Sequence, residues 1–239
     1  MSDTSTQMMS SAITALPAED PSDARLALFF LARGFTRIFW GLLVALILFF
    51  GRVSIVVTPG MKISAYVVGC ALAAWGVWTL AAAGLDSRWW RRCWRATLGL
   101  LLLTIYFAPF LEWWKRAPQV PLYLVNVLGL LLASMLTLLL LDLLAADIFR
   151  RLEQWPARRE ALAFGGSVFL LMIAPLVVTV LASLWATIRY QTSFEFEMWR
   201  MILHLPIGVY AILTVPCSLT LFTIWKARAL CYQRLANAR

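Results

Sequence analysis

Apolar positions in this chain come in long runs rather than in alternation. Six stretches, residues 38–57, 63–85, 96–111, 122–141, 161–188 and 201–225, hold almost no charge and are parted by short segments rich in Arg, Trp, Pro or Gly. A run of about 20 apolar residues wound as a helix spans the hydrocarbon layer of a bilayer, and in lipid a helix satisfies its own backbone polar groups. The pattern therefore predicts an all-α polytopic membrane bundle of six transmembrane helices, arranged as three hairpins. Composition points the same way: 62% of positions are hydrophobic and 14% charged, against roughly 45–50% apolar in water-soluble domains. The remaining polar sequence is too short for a second, soluble domain.

Local signals refine the picture. Residues 1–23 carry acids but no Lys or Arg and are read as a disordered cytoplasmic segment. Ser22 is placed to cap a helix, with Asp23 favourable to its dipole. Residues 24–37, with Leu26, Phe29, Phe30, Arg33 and Arg37, are expected to form an interfacial helix bending into the membrane near Gly34, or else the early part of one long tilted span. Arg52 reaches the interface by snorkelling, and Thr58, Pro59 and Gly60 make a tight turn. In the second span Ala65, Gly69 and Ala73 form a stripe that permits close helix approach. Pro175, Pro206 and Pro216 predict kinks. Asp147 is spaced to pair with Arg150 and Arg151 on a helix that runs on past the fourth span. The transmembrane domain covers 24–226, and 227–239 form a basic cytoplasmic tail.

Charge fixes the expected orientation. The net charge is +9, but the basic residues lie where apolar runs end instead of gathering in a polar domain, which argues against a nucleic-acid partner. With both termini cytoplasmic, fifteen Lys and Arg fall on the inner side and six on the outer, in accord with the positive-inside rule. A bacterial cytoplasmic membrane is the expected location. Ten of the twelve tryptophans lie near span ends, as aromatic belts require; Trp75 and Trp78 do not. In the loop DSRWWRRCWR, Arg88, Arg91, Arg92 and Arg95 are candidate contacts to anionic lipid headgroups. Membrane lipids and other membrane proteins, or further copies of the chain, are the expected partners.

Candidate chemistry is sparse. Four cysteines without C-x-x-C spacing and a single histidine supply no metal, haem or disulfide frame, so no cofactor is expected. No nucleophile and base stand at a catalytic spacing. Three residues qualify as transport or proton-linked candidates. Asp142 is the acid nearest the apolar core, where ionisable groups are functional by default, although a helix-end carboxylate paired with Arg is the plainer reading. His204 and Asn126 are polar groups within otherwise apolar spans. A non-catalytic subunit or scaffold is the first functional reading. A small-solute or lipid transporter lined by spans four to six is the second, and an intramembrane enzyme the third.

Overall fold

The computed structural model describes residues 21–51, 53–58, 61–85, 87–203 and 207–237. The segment read as disordered lies, up to residue 20, outside the described residues. Helix α1 (Pro21–Phe50) is followed by strands β1 (Ser54–Thr58) and β2 (Met61–Ser64), then by α2 (Tyr66–Ala81), α3 (Arg88–Arg116), α4 (Pro121–Arg151) and α5 (Trp155–Val168). A five-residue π-helical segment (Phe169–Ile173) leads into α6 (Ala174–Tyr190), and α7 (Phe194–Leu203) and α8 (Ile207–Asn237) complete the chain. Among the described residues, four helices are long and apolar enough to cross a membrane: Asp23–Phe50, Arg88–Arg116, Pro121–Arg151 and the kinked Trp155–Tyr190. The chain is an all-α membrane protein.

Helix α1 runs through Gly34 without a break, so of the two readings of residues 24–37 the long single helix is the one seen, and Ser22 and Asp23 lie within it. Its face Ala24, Leu28, Leu31, Ala32, Phe35 and Ile38 is buried at three- and four-residue spacing on both sides of Gly34. One continuous stripe needs one continuous helix. At the other end α1 stops at Phe50, and strands β1 and β2 pair antiparallel with Ile55 opposite Ile63 and Ser54 opposite Ser64, while the turn expected at Pro59 and Gly60 lies outside the described residues. The β-branched run Ser54–Thr58, SIVVT, followed by Pro-Gly suits a strand and turn. Hydrophobicity alone does not distinguish such a run from the last two turns of a span.

Helices α1 and α2 pack with their backbones almost in contact. A Cβ added at Gly69 would meet the backbone of Ala45 and Gly41, and one at Gly41 would meet the backbone of Ala73 and Gly69. At Gly76 it would stand 2.7 Å from the backbone nitrogen of Ile38. The stripe on α2 thus runs Gly69, Ala73, Gly76, and its complement on α1 is Gly34, Gly41, Ala45. Both sides are small because lipid-solvated helices gain from close backbone approach and not from burying more leucine.

The π segment has a local cause. The ring of Pro175 would strike the carbonyl of Leu171, one turn back, in a regular α-helix. Widening Phe169–Ile173 into a π turn takes up the misfit and bends the span.

The ends of the helices sort into two groups. Ala24 and Leu28 of α1, Leu85, Trp90 of α3, Phe149 and Leu152 at the end of α4, Ala157 of α5 and Ala227 and Cys231 of α8 share one hydrophobic cluster. At the opposite end β2 reaches α3, where the Ser64 hydroxyl donates to Glu112 at 2.7 Å and Lys115 pairs with the same carboxylate at 2.8 Å.

Candidate functional site

Asp142 lies in the last third of α4, on the face that carries Leu141, Leu144 and Ala145 into the core. Its side chain is wholly buried where α4, α5 and α8 meet. Gly165 of α5 makes room for it: a Cβ there would lie 3.5 Å from the Asp142 Cβ. From α8, the Thr220 hydroxyl donates to Asp142 Oδ2 at 2.9 Å. Thr223, one turn further, is buried in the same place and lies 3.0 Å from the carbonyl of Leu219 in its own helix. Asp142 Oδ1 is buried without a hydrogen-bond partner. Among the described residues Asp142 forms no ion pair with an arginine, and Arg150 and Arg151 both pair with Asp147, as their spacing predicts. Asp147 falls three and four residues before them, which puts all three on one helix face.

An ionised carboxylate in such surroundings is costly unless paired, and the hydroxyl of Thr220 offsets only part of that cost. Asp142 is therefore the one acid of the sequence reading that the fold places in a chemically unusual position. Neither Thr220 nor Gly165 was singled out in the sequence. The signal was present in Thr220 and Thr223, two hydroxyls three residues apart in an otherwise apolar span, and in the Gly-Gly pair at 165–166.

The other candidates do not join it. Asn126 sits sixteen residues earlier on α4, about 24 Å along the helix axis, and its amide donates to the carbonyl of Leu122 one turn back at 2.7 Å. His204 lies outside the described residues. Arg88, Arg91, Arg92 and Arg95 all stand exposed on the first two turns of α3, and the Arg95 guanidinium lies 5.6 Å over the Trp94 ring. Among the described residues no group of three or more His, Cys, Asp or Glu is placed to hold a metal ion.

No protein-family model, curated protein or solved structure matches this chain.

Proposed function

We propose that this chain is a six-span, non-catalytic protein of a bacterial-type cytoplasmic membrane, both termini cytoplasmic, that acts as a subunit or scaffold through contacts with other membrane proteins or with copies of itself. The four long helices, with α2 and α8 as the fifth and sixth crossings, give the even number that brings both ends of the chain to one side. That Ala24, Leu28, Leu85, Trp90, Phe149, Leu152, Ala157, Ala227 and Cys231 share one hydrophobic cluster supports that threading, and the arginine-rich segments supply its direction.

The observation that carries the functional reading is how the helices use their polar side chains. Thr36, Thr97, Thr104, Ser134, Thr137, Thr179, Thr187, Ser218 and Thr223 each donate to a carbonyl four residues back in their own helix. Hydroxyls bonded in this way are satisfied locally, and the helices turn mostly hydrocarbon toward their surroundings. Large apolar side chains such as Val178, Leu181, Trp185 and Ile188 stand exposed along α6. Surfaces of this kind pack against lipid or against another apolar helix. A second reading, a proton- or solute-linked transporter, is favoured by one observation, the buried Asp142 with its unpartnered Oδ1.

Gentle detergent extraction of the tagged full chain, followed by identification of co-purifying proteins, separates the two. The subunit reading expects a stoichiometric protein partner, or a homo-oligomer, retained when Asp142 is changed to Asn. A monomer that comes out alone, with a proton-dependent solute flux in vesicles that Asp142→Asn abolishes, would replace it with the transport reading.

A further inference from the structure

The aromatic belts leave Trp75 and Trp78 unexplained, for both lie within α2 and are 55% and 62% exposed. Each is engaged from a neighbouring helix. The Arg37 guanidinium of α1 lies over the Trp75 ring, 3.8 Å from its centre. Trp78, three residues on and thus on the same face, meets Trp94 of α3 edge-on with ring centres 6.5 Å apart. Arg95 in turn lies over Trp94. The outer face of α2 therefore carries a strip in the order Arg37, Trp75, Trp78, Trp94, Arg95 that crosses three helices and has a guanidinium at each end.

Among the described residues none of Arg33, Arg37 and Arg95 forms an ion pair, while Asp147, Glu160, Glu112 and Glu197 each have a basic partner. Arg33 precedes Arg37 by one turn, and like charges at that spacing destabilise a helix unless an anion relieves them. Stacking on an indole fixes the guanidinium plane but uses the ring face, leaving the N–H edges free to donate to a planar or tetrahedral oxyanion. Beside those edges the two exposed indoles offer an apolar shelf. Cationic edge and apolar shelf together match an amphiphilic anion and not a free one.

We propose that this strip binds anionic phospholipid, with headgroup phosphates on the guanidinium edges at its two ends, Arg37 and Arg95, and acyl chains against Trp75 and Trp78 between them. The site reaches beyond the exposed arginines at the start of α3, because it recruits α1 and α2. It also stands independently of any role for Asp142.

The test is a native mass-spectrometric titration of the full chain in detergent with phosphatidylglycerol, with phosphatidylcholine and with sn-glycerol 3-phosphate. Phosphatidylglycerol is expected to bind and the other two not to. Arg37→Gln and Arg95→Gln are each expected to weaken binding about fivefold, the effect of one arginine near a lipid surface. Trp75→Ala is expected to weaken it with the net charge unchanged. Arg95 is exposed, so its variant keeps the test open should Arg37→Gln fail to fold. Equal binding of phosphatidylcholine, binding of the soluble phosphate, or an equal loss in Arg158→Gln and Arg159→Gln, which remove charge elsewhere, would overturn the proposal.

Discussion

Gly69→Leu is expected to disrupt the packing of the first two helices and to lower stability by about 3 kcal/mol or more. The side chain would have to occupy space already filled by the backbone of Ala45 and Gly41, which cannot move aside as a rotamer can. Separating α1 from α2 by the width of a leucine would also open the core face of α1, from Leu31 to Ile38, which shares its cluster with Ala73 and Val77. Glycines elsewhere supply the control. A Cβ at Gly99 or Gly166 meets nothing within 4 Å, so Gly99→Ala and Gly166→Ala are expected to be neutral or to stabilise, since alanine favours a helix by up to about 1 kcal/mol over glycine. Unfolding titrations in mixed detergent and dodecyl sulfate read both effects on one scale. Equal tolerance at Gly69 and Gly99 would mean that α1 and α2 do not approach as closely as described.

The second large effect is expected at Asp147. Its carboxylate is almost fully buried and pairs with Arg150 and, at 2.9 Å, with Arg151, whose side chain is only 13% exposed. Removing the acid leaves Arg151 close to the core without its counter-charge, and breaking a buried pair from one side costs about 3 kcal/mol. Asp147→Ala is therefore expected to destabilise by about that amount. Glu160→Ala, which breaks the more exposed pair with Lys226, is expected to cost less than about 1 kcal/mol. Similar losses in the two variants, in the same titration, would show that the Asp147 pair is open to solvent.

Much of the architecture was legible in the chain because bilayer thickness imposes a length on each apolar run and because lipid forbids unsatisfied backbone. The stripe at Gly69 and Ala73 was legible too, as was the pairing of Asp147 with Arg150 and Arg151, since both follow from helical spacing alone. The pairing of strands β1 and β2 was not. Val56 and its neighbours are as hydrophobic as span residues, and the change from helix to strand rests on β-branching, a weaker signal than hydropathy. Nor did the sequence reveal that the glycines of α1 answer those of α2, because complementarity between distant segments is a property of the packed pair. The site at Asp142 was half legible. Its depth could be read from the apolar run that it ends, while its partner Thr220 is seventy-eight residues away. The plainer expectation, an arginine beside Asp142, is not met among the described residues, where its hydrogen-bond donor is the Thr220 hydroxyl.

Single-cysteine labelling in a cysteine-free background tests the threading on which the account depends. Gln119→Cys, Gln191→Cys, Arg159→Cys and Ala236→Cys place a thiol at exposed positions. In intact cells an impermeant maleimide is expected to reach positions 119 and 191 and to reach 159 and 236 only after permeabilisation. Positions 119 and 191 labelled from opposite sides, or 159 and 236 from outside, would contradict the six-span chain with cytoplasmic termini.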